Sequence, residues 1–136
     1  MKSKKIAFYY RTGNPKVNEA QIYKLWAQMI SNCMASCTCD TDKDIFFDLN
    51  VSGLTAVSNR KGFSQLVNQI EHSNYDVIVT NNITTFSRDL CLFIGMLREI
   101  FEHGCDVYFV EQELYLRSID DLIEYMNLVA QQEESV

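Results

Sequence analysis

The chain predicts an α/β fold: a mostly parallel sheet of four to five strands with helices on both faces. Two patterns carry this prediction. Short apolar runs alternate with amphipathic stretches of helical spacing, and the runs are apolar throughout rather than on every second residue. Strands of that kind are buried on both sides, and parallel neighbours need crossover helices that shield them. At 136 residues and 47% hydrophobic residues, the chain has the size and balance of one domain with a real core.

The first strand spans Lys5 to Tyr10 and runs into the turn-forming Thr12-Gly13-Asn14-Pro15. A helix follows, capped by Asn18 with Gln21 in capping-box spacing; Ile22, Leu25, Trp26, Met29 and Ile30 fall on one face, and it fades near Cys33 to Cys39. Asp44 to Asp48 holds a second strand, and Leu49 to Arg60 reads as a polar loop. Phe63, Leu66, Val67 and Ile70 form a helical stripe, and Val77-Ile78-Val79 is a third strand. Leu90 to Phe101 is a helix ended by Gly104, and Val107 to Val110 is a fourth strand. Ser118 with Asp121 opens the last helix. No internal repeat or low-complexity tract is present.

Ligands gather at the carboxyl ends of parallel strands, so the loops after the first three strands matter most. They hold Arg11, then Ser52 with Arg60, then Arg88. A lone arginine after a strand is usually a surface charge; three in the loops of one sheet end point to an anion. The net charge of −6 has the wrong sign for a domain that binds nucleic acid through its overall field. Only a local positive patch, or a separate basic module, reconciles this chain with DNA.

Five cysteines and no charged-then-apolar leader predict reduced thiols and a cytoplasmic protein outside the membrane. Cys33, Cys37 and Cys39 cluster, but no histidine or further cysteine stands near to complete a tetrahedral set, so neither a metal nor a cofactor is expected. His72 and His103 sit near helix ends, where a dipole or turn role is expected. Tyr9 and Tyr10 are expected to pack the sheet.

Taken in order, the loops resemble the catalytic domain of the serine recombinases, the resolvase and invertase family. Tyr9-Tyr10-Arg11-Thr12-Gly13 is similar to Y-x-R-V-S, and Glu19-Ala20-Gln21 to the start of the next helix. Asp48-Leu49-Asn50-Val51-Ser52-Gly53 and Arg60-Lys61-Gly62-Phe63 are similar to D-x-x-x-S-G and R-x-G-F. Asp76-Val77-Ile78-Val79 with Ile83-Thr84-Thr85-Phe86-Ser87-Arg88 resembles D-V-V-V followed by L-D-R-L-x-R. Glu102 to Val110 and Ala130-Gln131-Gln132-Glu133 give a fourth and a fifth fragment, the latter similar to A-Q-x-E of the family's long helix.

The resemblance implies a three-layer resolvase-like domain over residues 1–136 that takes part in site-specific DNA recombination. It places the attacking serine of the family at Gly13, and Arg11, Arg60 and Arg88 around the scissile phosphate, with Gln21 and Ser52 also at phosphate-binding positions. Thr84 stands where the family has aspartate, and Thr85 where it has a further arginine. The expectation is therefore a domain that retains phosphate-holding residues, lacks the nucleophile, and acts structurally or as a regulatory partner. By the same resemblance Ile119, Leu122, Ile123, Met126 and Val129 form a dimerisation stripe for a homodimer or a heterodimer with another recombinase. The last helix is expected to be truncated or shortened at about 118–136, with no DNA-binding domain after it. A second reading treats Thr12-Gly13-Asn14 as a flavodoxin-like phosphate or cofactor loop.

Overall fold

The computed structural model describes residues 4–33, 37–38, 44–56, 59–72 and 75–134. Its order is β1 (Lys4–Thr12), α1 (Glu19–Cys33), β2 (Cys37–Thr38), β3 (Ile45–Leu49), α2 (Lys61–His72), β4 (Val77–Thr80), α3 (Ile83–Phe86), α4 (Leu90–Glu102), β5 (Asp106–Phe109), β6 (Leu114–Leu116) and α5 (Ile119–Glu134). The predicted strands and long helices all form.

The sheet is mixed, with β1 at its centre. β1 pairs in parallel with β4 on one side, and on the other with β3 along Phe8 to Thr12 and with the two-residue β2 at Lys4 and Lys5. β5 follows β4 in parallel, and β6 closes the edge antiparallel to β5. The sheet is thus mostly parallel, as the apolar runs require. β2, β6 and the single-turn α3 lie outside the sequence prediction, because pieces of two to four residues carry no readable period.

Alternation along β1 sorts the layers. Ile6 and Phe8 join Val77, Val79 and Ile45 on one face, covered by Ile22 and Trp26 of α1. Ala7 and Tyr9 join Ile78, Val107 and Phe109 on the other, under α2, α4 and Leu122 of α5. Helices therefore cover both faces. Phe86 sits at the hub of the second core, with its ring edge-on to Tyr9, Phe63, Phe93 and Phe109 at centroid distances of 5.6 to 6.0 Å.

The caps match the sequence signals. The Asn18 amide donates to Gln21 Oε1 (2.8 Å) and the Gln21 amide to Asn18 Oδ1 (3.1 Å), a reciprocal box at the start of α1. Asp89 caps α4 by accepting from the Leu92 amide (2.9 Å). Gly104 adopts φ 75 after α4, in the left-handed region where a side chain is disfavoured. The imidazoles of His72 and His103 each lie beside the carbonyl four residues back, at 2.9 and 2.8 Å.

The expected stripe on the last helix divides between inside and outside. Leu122 is buried in the core, Ile119 packs against that core and Val129 is half-buried, while Ile123 and Met126 are 51% and 41% exposed. One turn of α5 thus serves its own sheet before any partner. Among the described residues no helix is long and apolar enough to cross a membrane, and no group of three or more His, Cys, Asp or Glu could hold a metal. Cys39 lies outside the described residues, as do the side chains of Cys33 and Cys37.

Two buried acids tie the fold to pH. Burial pushes the Cys105 thiol up to about 12, with Asp106 and Asp76 adding to it, and burial with the neighbouring Asp48 carboxylate raises the Tyr9 phenol. Both are neutral when protonated, so the stability they contribute is fully present below their unfolded values and is lost as pH rises towards the folded ones. Stability should therefore fall from about pH 9 upward by as much as about 1.4 kcal/mol per pH unit for each group. Urea denaturation between neutral and alkaline pH measures this; the double change Cys105→Ala with Tyr9→Phe should flatten the slope.

Candidate functional site

The carboxyl ends of β1, β3 and β4 open into a cleft of about 680 Å³. Arg11, Thr12, Gly13 and Asn14 line it from β1, Asn50, Ser52 and Gly53 from the loop after β3, and Thr84 and Arg88 from the segment after β4. The three loops singled out in the sequence therefore meet at one place. Among the described residues two arginines and no carboxylate line the cleft, which supplies the local positive patch that a chain of net charge −6 needs to attract an anion.

Arg11 shares the β1 face of Ala7 and Tyr9, which turns it towards the loops. Its Nη1 donates to the Val51 carbonyl (2.9 Å) and its Nη2 to the Thr84 carbonyl (2.6 Å), bridging the loop after β3 to α3. Burial lowers its pKa from the ordinary arginine value, and the positive charges of Arg60 and then Arg88 lower it further. Like charges are thus gathered here, an arrangement that an anion relieves.

Arg60 is fully buried and bridges the same two segments from below. Its Nε donates to the Thr55 carbonyl (3.1 Å), Nη2 to the Gly53 carbonyl (3.0 Å) and Nη1 to the Phe86 carbonyl. It is not among the residues lining the cleft. In this arrangement it is a clamp on the loops rather than a surface ligand. The Gly53 carbonyl also accepts from the Ser87 hydroxyl (3.1 Å) and the Arg88 amide (3.3 Å), so one oxygen ties the loop after β3 to the approach to α4.

Arg88 is exposed, and its stem lies across Gly53: a Cβ there would stand 2.9 Å from Arg88 Cγ. Gly13 is different. A Cβ would find only the Val51 carbonyl at 3.8 Å and Arg11 Nη1 at 4.0 Å, ordinary contact distances, so the backbone admits a side chain next to the Arg11 guanidinium. The neighbouring Thr12 hydroxyl accepts from the Asn14 amide (3.1 Å).

Of the other expected site residues, Ser52 and Thr84 line the cleft and Gln21 does not. Gln21 is held in the α1 capping box and does not line the cleft. The Ser52 hydroxyl lies at the cleft and accepts from the Leu54 amide (3.1 Å), forming a local turn. Thr84 offers its carbonyl to Arg11 and its hydroxyl to Asn82 Oδ1 (2.6 Å). Thr85 occupies α3, and its side chain lies outside the described residues.

Asp48, given no role by sequence reasoning, organises the site's foundation. One buried carboxylate accepts from the Gly62 amide (2.7 Å), the Phe63 amide (3.0 Å) and the Tyr9 hydroxyl (2.7 Å). It caps α2 across the loop, at the end where the helix dipole favours negative charge. Its position one residue before the end of an apolar strand was the available signal. Asn50, the next cleft residue, takes φ 57, a turn conformation asparagine tolerates.

A family model described as "Resolvase, N terminal domain" matches residues 6–136. Among solved structures, the N-terminal catalytic domain of TP901-1 integrase superposes with a TM-score of 0.70 at 18% identity, covering 97% of this chain and 96% of that one. The C-terminal catalytic domain of ISC1926 TnpA, an IS607-like serine recombinase, gives 0.62 at 16% identity over 92% of this chain and 79% of that one. A resolvase family site-specific recombinase from Streptococcus pneumoniae gives 0.57 at 19% identity, over 97% and 89%. No curated protein sequence matches the chain.

Proposed function

The chain belongs to the resolvase family, whose N-terminal domain it spans, and from that premise we propose a recombinase domain that grips DNA phosphate without cutting it. The observation that carries the reading is the cleft itself: Arg11 and Arg88 line it, and Gly13 stands beside Arg11 with no hydroxyl to attack. A phosphate entering there would exchange the carbonyl contacts of Arg11 for charge-assisted ones, with Arg88 reaching it from the open side. Arg60 holds the loops that present them. Covalent strand cleavage needs a nucleophile within reach and cations where charge develops, and Gly13 and Thr85 remove one of each. The domain then serves recombination by pairing with an active recombinase through the exposed residues of α5, in a homodimer or heterodimer.

The flavodoxin-like reading of Thr12-Gly13-Asn14 has less support. Such a loop presents free helix amides to an anion. Here α1 begins only at Glu19, an acidic residue, and the Asn18 and Gln21 amides already donate within the capping box.

The test is covalent trapping on DNA, comparing the native chain with Gly13→Ser and with Gly13→Ser plus Thr85→Arg. The native chain should form no phosphoserine-type adduct, and the double change should form it. Losing one well-placed transition-state donor costs about a hundredfold to a thousandfold, so the single change should recover far less. An adduct formed by the native chain overturns the reading.

Gly53→Ala probes Arg88 without replacing it. The added methyl would stand 2.9 Å from Arg88 Cγ and 3.3 Å from its amide nitrogen, so both the stem and the backbone at Arg88 must shift. Stability should fall by about 1–3 kcal/mol, while phosphate-dependent DNA binding should drop as far as it does in Arg88→Ala. Binding titrations at two salt concentrations give the comparison.

A further inference from the structure

The cleft carries more positive charge than a single phosphate within a DNA strand can balance. Arg11 and Arg88 both line it, and among the described residues no carboxylate joins them. Arg11 is buried and held by the Val51 and Thr84 carbonyls, while Arg88 is exposed, so a fixed cation and an open one share the space. Gly13 adds room beside the fixed one. A Cβ there would stand 3.8 Å from the Val51 carbonyl and 4.0 Å from Arg11 Nη1, with nothing nearer. The Ser52 hydroxyl, also at the cleft, accepts from the Leu54 amide and can still donate its own proton to an anion.

We propose that the cleft takes a terminal phosphomonoester of DNA, the phosphate at a strand end, in preference to the diester within a strand. The proposal rests on the phosphate-gripping reading above and names the form of phosphate that is gripped. A diester carries one negative charge, has two non-bridging oxygens and continues into sugar on both sides. A monoester has three such oxygens, approaches two charges at neutral pH and continues on one side only. The two guanidiniums balance the second charge, and the third oxygen enters the space that a side chain at position 13 would fill, next to Arg11 Nη1. The net charge of −6 opposes any preference for the more negative strand, so such a preference has to arise in the cleft itself. Ends of this kind are the product of phosphodiester hydrolysis, which another enzyme must supply.

The test uses the purified chain and short, internally labelled single strands of one sequence that end in a 5′-phosphate, in a 3′-phosphate or in hydroxyls only. By fluorescence anisotropy at low salt, at least one phosphorylated strand should bind about tenfold tighter than the hydroxyl strand, the gain of a further charge-assisted hydrogen bond. The two phosphorylated arms tell which end is taken. Gly13→Ala needs no strained backbone, because Gly13 lacks the positive φ that Gly104 has, and its methyl fills the space, so most of the preference should vanish. Equal binding of all three strands, or a preference kept in Gly13→Ala, overturns the proposal. Equal binding that weakens in Arg88→Ala overturns it alone and leaves the phosphate-gripping reading standing. Binding of no strand overturns both.

Discussion

Arg60→Met should unfold this domain more readily than any change at the cleft surface, lowering stability by about 3–5 kcal/mol. The carbonyls of Gly53, Thr55 and Phe86 all accept from this one guanidinium, and the side chain is fully buried. Methionine fills much of the volume but offers no donor, so the buried Phe86 carbonyl is left to cost roughly 1–3 kcal/mol, the Thr55 carbonyl loses its bond as well, and the Gly53 carbonyl keeps only the Ser87 hydroxyl and the Arg88 amide. Arg60→Lys discriminates between charge and geometry. A lysine keeps the charge but presents one ammonium instead of a planar fork, so it cannot span carbonyls on two segments. Both variants should therefore melt on the order of 10 °C lower. A lysine variant as stable as the native chain would mean that charge, not the clamp, is what Arg60 supplies.

Gly62→Ala should cost about 3 kcal/mol or more, although the position lies in the first turn of a helix, where alanine ordinarily favours folding. The Cβ would stand 2.6 Å from the Phe47 carbonyl carbon, closer still to its oxygen, and 3.1 Å from Asp48 Cγ. These are backbone atoms of a buried strand and the carboxylate that caps the helix, so no flexible side-chain end can give way. To admit the methyl, α2 must withdraw from β3, which lengthens the bonds from the Gly62 and Phe63 amides to Asp48. Urea denaturation should show the loss, and amide exchange should show it centred on the start of α2. A variant within about 1 kcal/mol of the native chain would show that α2 can shift freely.

The motif Arg60-Lys61-Gly62-Phe63 carries more than the phosphate contact that the resemblance implies for its arginine. In the structure the arginine clamps the loops, Gly62 permits the close approach of α2 to β3, and Phe63 packs its ring against Tyr9 and Phe86. Residue type alone does not distinguish a buried guanidinium with three carbonyl acceptors from an exposed one awaiting an anion. Arg88 is the contrasting case, exposed and lining the cleft.

The sequence by itself determined the order of the main strands and helices, because a core's demand for apolar residues at period two or three to four is written locally. It determined the caps at Asn18, Gln21 and Asp121 for the same reason: a cap and its amide lie within four residues. It also brought the three loops to one end of the sheet, since parallel strands share their carboxyl ends. What only the tertiary structure decided depends on contacts between distant residues. The antiparallel β6, the inward turn of Leu122, the Asp48 cap on α2, and the division of labour between Arg11, Arg60 and Arg88 all rest on which carbonyls and side chains arrive from elsewhere in the chain. Gly13 shows both sides: the sequence shows that no hydroxyl is there, and only the fold shows that a Cβ at this position would meet nothing closer than ordinary contact distance.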